Sequence, residues 1–255
     1  MSSARRSHRV SGVPRWSRPA RRPGGGGWWQ RDWGGMPLWG VALSAAAIGA
    51  LLVGGPALRP STAAEETASP IVVFLGDSYT AGVGASDPSL SWASRVGEAE
   101  GWRVRNLARG GTGYASRVTG EGAPGACGRA ECPPFVEMAR EGAALIPDIV
   151  VVSGGRNDIG DAPVDAEVEA FFEAVATAYP GSRIYVTDVL WHGRAPDAVR
   201  RLSRVVQRDA QAIGATWLDI GQPLAGGDGL LAPDGIHPND AGHEAIARAV
   251  IAALD

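Results

Sequence analysis

Along the last three quarters of the chain, short apolar runs alternate with longer stretches of helical spacing. The first run, Ile71 to Leu75, is unbroken and ends in Gly76-Asp77-Ser78. That is the pattern of a strand buried on both faces and stopped by a turn. The spacing over 90–100 predicts a helix, Trp102 to Leu107 a second strand, Phe135 to Leu145 a helix, and Ile149 to Ser153 another apolar strand. A helix from Asp165 to Ala178, a strand from Ile184 to Leu190, a helix from Asp197 to Ile213, a short strand from Thr216 to Ile220 and a helix from about Ala241 to Ala253 complete the series. Strands alternating with helices require a parallel sheet covered on both faces. Right-handed crossovers then favour an α/β/α three-layer sandwich of the flavodoxin-like kind, its five parallel strands in the order 2-1-3-4-5. In that order the binding crevice opens beside the carboxyl end of strand 1, where Ser78 stands.

The N-terminal part follows a different pattern. Residues 1–35 hold eight arginines, one acid and four consecutive glycines, Gly24 to Gly27, and cannot bury a core. No charge occurs from Trp33 to Leu58, and residues 36–58 reach the roughly 20 residues that span a bilayer as a helix. The arginine excess ahead of this segment orients it with the N-terminus cytoplasmic, which puts the rest of the chain on the extracytoplasmic side. Two readings stay open: a retained membrane anchor, or a signal peptide removed near the small residues Ser61-Thr62-Ala63-Ala64. Residues 59–68 read as a linker and 69–255 as one domain, large enough for a real core.

Charge narrows the function of that domain. From Ser69 onward there are fifteen arginines and twenty-four acids, a net charge of −9, and the chain has no lysine at all. An acidic domain is a poor partner for nucleic acid. Without lysine there is no Walker A phosphate loop and no Schiff-base chemistry. The only two cysteines, Cys127 and Cys132, stand five apart, and in an exported domain they read as a disulfide. A loop that short contributes about 2 kcal/mol and mainly stiffens a surface segment. A zinc site lacks further ligands nearby in sequence.

Four polar clusters remain as candidates for chemistry, each an ordinary turn if taken alone. Ser78 follows strand 1. Asn106-Leu107-Ala108-Arg109-Gly110-Gly111-Thr112-Gly113 follows strand 2, where glycines let backbone N–H groups approach a ligand. Gly154-Gly155-Arg156-Asn157-Asp158 follows strand 3 and presents an amide able to donate to an oxyanion. Asp234-Gly235-Ile236-His237 precedes the last helix and places a carboxylate three residues from an imidazole.

In this order the four blocks resemble the SGNH (GDSL-type) hydrolase family over essentially the whole of residues 70–255. The resemblance implies Ser78 as nucleophile, His237 as base and Asp234 as its orienting acid. It also implies an oxyanion hole made by the N–H groups of Ser78 and Gly111 and the side chain of Asn157, with no metal or cofactor. Gly110 beside Gly111 leaves that register ambiguous by one residue; aligning from Asn106 favours Gly111. Tyr79 stands where the family name expects leucine, a position without a direct catalytic role, so the departure bears on local packing. His243 reads as structural, and Trp191-His192 either lines the site or simply packs.

The expected activity is hydrolysis of short-chain or acetyl esters, on small molecules or on external polysaccharides, because no amphipathic helix is long enough to form an obvious lipase lid. Acyl transfer to a sugar or alcohol through the same serine is the alternative, followed by a non-catalytic binding protein on the same fold. A nucleotide-binding module lacks the glycine spacing it needs. The expected membrane contact is through residues 36–58, if they are retained.

Overall fold

A computed structural model describes residues 68–160 and 162–255. The expected basic segment 1–35, the apolar segment 36–58 and all but the last residue of the linker 59–68 lie outside the described residues. Among the described residues no helix is long and apolar enough to cross a membrane.

The chain opens with β1 (Ile71–Gly76), a four-residue helix α1 (Ser78–Ala81), α2 (Trp92–Ala99) and β2 (Arg103–Asn106). A small excursion follows, made of β3 (Val118–Thr119), α3 (Ala123–Cys127) and β4 (Glu131–Cys132). Regular alternation then resumes with α4 (Phe135–Gly142), β5 (Ile149–Ser153), α5 (Asp165–Ala178), β6 (Arg183–Thr187), α6 (Asp197–Ala212), β7 (Thr216–Leu218) and α7 (Asp240–Leu254). The main sheet is parallel throughout, in the order β2-β1-β5-β6-β7. This is the expected 2-1-3-4-5 arrangement.

Strand periodicity explains the three layers. Within β1, Val73 and Leu75 face one side, where Val150 and Val152 of β5 join Phe135, Met138, Phe171, Phe172, Val199 and Val206 from α4, α5 and α6. Val72 and Phe74 face the other, against Trp92 and Val96 of α2 and Ile246 and Val250 of α7. Phe74 meets Trp92 edge-on at 5.3 Å between ring centroids. A central strand buried on both faces explains why β1 and β5 read as continuous apolar runs.

Several expectations shift, among them the strand expected over Thr216 to Ile220, which stops at Leu218. The strand predicted to run to Leu190 stops at Thr187, because its neighbour β7 is only three residues long and leaves the next groups no ladder partner. Side chains take over: Ser203 accepts from the Val189 N–H, while Gln222 donates to the Val189 carbonyl and accepts from Trp191. The antiparallel pair β3–β4 was not foreseen, since two residues carry no readable period. It holds the Cys127–Cys132 disulfide, which is present as expected.

Candidate active site

Ser78 is placed by an abrupt stop at the end of β1. Gly76 pairs with Ser153, and a Cβ there would lie 2.0 Å from the Ser153 carbonyl oxygen, so only glycine lets the strands stay paired to that point. Asp77 caps α1 by accepting the Tyr79 N–H at 3.0 Å, and Gly82 closes that one turn in the left-handed region. Ser78 itself is 5% exposed.

The Asp77 carboxylate also accepts the N–H of Gly155 at 3.1 Å, joining the serine turn to the turn that carries Asn157. Burial pushes its carboxyl up to about 6, opposed by those N–H groups and by the nearby Arg156 charge. Asn157 lies in a single 3₁₀ turn, Arg156–Asp158, and its amide donates to the Thr112 carbonyl at 2.9 Å. Asp158 accepts three N–H groups, from Tyr114, Ala115 and Ser116, at 2.7 to 3.1 Å. Gly113 makes room for it: a Cβ there would strike the Asp158 carboxylate at 2.1 Å.

The two adjacent glycines differ in exposure and in hydrogen bonding. The N–H of Gly110, a buried residue, is spent on the Ala126 carbonyl at 3.1 Å, while Gly111 is exposed with φ +71°. Beneath them Arg109, 6% exposed, pairs with Glu141, which also binds Arg129.

On the far side of the cleft, the loop before α7 brings in the histidine. His237 Nδ1–H donates to Asp234 Oδ2 at 2.6 Å, and its Nε2 lies 3.1 Å from the Ser78 hydroxyl. The other Asp234 oxygen accepts the N–H groups of Ile236 and His237. The His237 hydrogen bond, and then these N–H groups, hold the Asp234 carboxyl well below the usual carboxylate range. Asn239 caps α7 two residues later through the N–H groups of Ala241 and Gly242.

Tyr79 does more than fill space. Its buried phenol, pushed up to about 12 chiefly by burial, donates to the Ile236 carbonyl at 2.5 Å and so ties the residue after Ser78 to the residue before His237. Its ring meets that of His237 edge-on, 6.0 Å between centroids. Arg156, which sequence reasoning passed over, donates to the same phenol oxygen and lies against Trp191. The only sequence signal was an arginine in an otherwise small and polar turn. His243 is structural: fully buried, it accepts from the Trp92 N–H and donates to the Val83 carbonyl. Among the described residues no group of three or more His, Cys, Asp or Glu side chains is arranged to hold a metal ion.

A strand-end serine facing an imidazole that is itself held by a carboxylate, on a doubly covered parallel sheet, falls in the class of serine hydrolases with an α/β sandwich. The GDSL-like Lipase/Acylhydrolase family matches residues 74–245. A GDSL lipase of Mycobacterium tuberculosis (strain ATCC 25618 / H37Rv) is 32% identical over 220 residues, covering 77% of this chain and 87% of that protein. The chain belongs to this family and is a serine ester hydrolase.

Solved structures share the fold at lower identity. A family two carbohydrate esterase from Cellvibrio japonicus is 18% identical with a TM-score of 0.57, over 73% of this chain and 61% of that one. The psychrotrophic esterase EstA from Pseudoalteromonas sp. is 16% identical with a TM-score of 0.53, over 73% and 97%.

Proposed function

We propose that Ser78, His237 and Asp234 form the catalytic triad of an extracytoplasmic esterase acting on short-chain or acetyl esters. The observation that carries this reading is the unbroken hydrogen-bond chain from Asp234 through His237 to Ser78, 2.6 and then 3.1 Å. As the Ser78 oxygen bonds to the ester carbon, its proton passes to His237 Nε2 and the carbonyl electron pair moves to oxygen. Asp234 fixes the tautomer and stabilises the imidazolium. The N–H groups of Ser78 and Gly111 and the Asn157 amide receive the oxyanion. The carbon–oxygen bond to the alcohol then breaks, with His237 returning the proton to the departing oxygen. His237 next takes a proton from water as the water oxygen bonds to the acyl carbon; the carbon–oxygen bond to Ser78 then breaks, and His237 returns the proton to the Ser78 oxygen.

An open hollow of about 270 Å³ lies on the Asn157 turn, lined by Ala115, Ser116, Ile159, Gly160 and Val164 but not by Ser78 or His237. A second hollow of about 370 Å³ shares Asp158, Ile159, Gly160, Ala162 and Val164 and extends to Leu202 and Val205 of α6. Turnover of p-nitrophenyl acetate, butyrate and octanoate tests the reading, with Ser78→Ala alongside. Activity that falls with chain length and vanishes in Ser78→Ala is expected. A steady rise toward octanoate would overturn the short-chain assignment, and equal rates in both proteins would overturn the role of Ser78.

The extracytoplasmic location rests on the disulfide and on the uncharged stretch behind an arginine-rich start. Protease added to intact cells is expected to digest the domain; protection until lysis would contradict this placement.

A further inference from the structure

Seven arginines among the described residues, at positions 109, 117, 129, 140, 200, 208 and 248, have a carboxylate within 4.0 Å. Arg156 is half-buried, more enclosed than all of these but Arg109, and among the described residues it pairs with no carboxylate at that distance. The side chains in direct contact with its guanidinium are uncharged, while the Asp77 carboxylate lies near enough to feel its charge. The guanidinium carbon lies 4.7 Å from the Tyr79 ring centroid and 5.0 Å from that of Trp191. One terminal nitrogen donates to the Tyr79 hydroxyl and the other lies 3.4 Å from His192 Nδ1. His192, stacked on Trp191 at 4.9 Å, has its pKa lowered by burial and by the Arg156 charge, which favours the neutral ring and leaves Nδ1 free to accept. The buried acid that feels this charge, Asp77, already accepts the N–H groups of Tyr79 and Gly155.

A half-buried cation with no carboxylate in direct contact among the described residues is able to take one from a ligand. Here two aromatic faces fix the guanidinium in place, and its planar fork of N–H donors matches a carboxylate in two-point contact. Its position brings it close to the chemistry. Arg156 is the residue before Asn157, and it hydrogen-bonds the side chain of the residue after Ser78. A substrate group that extends from Ser78 past the Tyr79 hydroxyl would meet Arg156. The surrounding domain, at net −9, repels anions in general, so any preference for an acidic ester has to come from a local cation.

We infer that Arg156 is a specificity-determining residue that binds a carboxylate on the ester substrate, so that the enzyme favours acidic esters over neutral ones of similar size. The inference rests on the assignment of Ser78 above.

The test compares kcat/KM for two pairs of esters: mono-p-nitrophenyl succinate against p-nitrophenyl butyrate, with the carboxylate on the acyl side, and 3-acetoxybenzoate against phenyl acetate, with it on the leaving side. In one pair at least, the acid-to-neutral ratio is expected to fall about tenfold or more in Arg156→Gln, mainly through KM. Arg156→Lys is expected to retain part of the preference. The ratio is taken within each variant, so any loss of folded protein cancels. An unchanged ratio in both pairs, with Ser78→Ala still inactive on the neutral esters, would overturn the inference and leave the serine reading intact. Hydrolysis surviving in Ser78→Ala would overturn both.

Discussion

The carboxylate of Asp77 accepts the backbone N–H of Gly155, 78 residues away, at 3.1 Å, and through this one bond the serine turn and the asparagine turn become a single piece. The proposed nucleophile and one proposed oxyanion donor thus share a buried anchor, rather than depending on two loops to find their separation independently.

Replacing Asp77 with alanine leaves the N–H groups of Tyr79 and Gly155 without their acceptor. A buried donor left unpaired costs about 1–3 kcal/mol, so Asp77→Ala is expected to lose about 2 kcal/mol or more of stability. Its kcat is expected to fall as well. Urea unfolding and p-nitrophenyl acetate turnover measure the two, and an unchanged midpoint with unchanged kcat would refute the anchor.

Asn157→Ala removes a side-chain donor while leaving the Ser78–His237–Asp234 chain in place. Loss of one such donor weakens transition-state binding by about 3–4 kcal/mol, so kcat is expected to drop about 100- to 1000-fold with a smaller change in KM. The tie to the Thr112 carbonyl is lost too, which loosens the Gly111 turn and pushes the effect upward. A change of less than about threefold in steady-state kcat would remove Asn157 from the oxyanion hole.

Asp188, at the end of β6, has its carboxyl pushed up to about 6, first by burial and then by the charge of Asp219. A raised folded pKa means that the native state holds this proton more tightly than the unfolded chain. The stability it contributes is full below about pH 4 and is lost as pH climbs through about 6. Asp188→Asn keeps an oxygen for the Gly221 N–H without titrating. The variant should therefore gain on the wild type between about pH 4 and about pH 7, as followed by denaturant midpoints. Parallel pH profiles would show that Asp188 titrates alike in both states.

The disulfide sits behind the glycine turn. Ala126, next to Cys127, accepts the Gly110 N–H, and Val118, paired with Cys132, lies where a Gly111 Cβ would collide with it at 2.6 Å. Replacing both cysteines with alanine is expected to lower stability by about 2 kcal/mol and to reduce kcat with it. Matched denaturation curves and rates decide this, and a stability loss with an untouched kcat would confine the clip to a surface role.

Much of this architecture is legible in the residues because local pattern and final packing agree. Ile149 to Ser153 and Asp165 to Ala178 begin and end where their periodicity does: both faces of the one, and the inner face of the other, meet the core. Agreement fails where a distant partner decides. No property of Thr187 itself reveals that β7 will be too short to carry β6 further. Nothing near Tyr79 in sequence announces Ile236 or Arg156, since their contacts span 157 and 77 residues. The four polar blocks were readable because each is compact and stands at a strand end or before a helix. The cluster of Arg156, Trp191 and His192 was not, because it exists only once β5 and β6 lie side by side.

Ser78 and His237 meet across 159 residues of chain, one borne on the first strand of the domain and the other just ahead of its last helix. Closing so long a loop costs more chain entropy than forming the contacts within each half of the fold. Turnover is therefore a readout of completion. A chain with its central strands assembled but α7 undocked would hold the proposed nucleophile without its base, and would be chemically silent until the last element arrived.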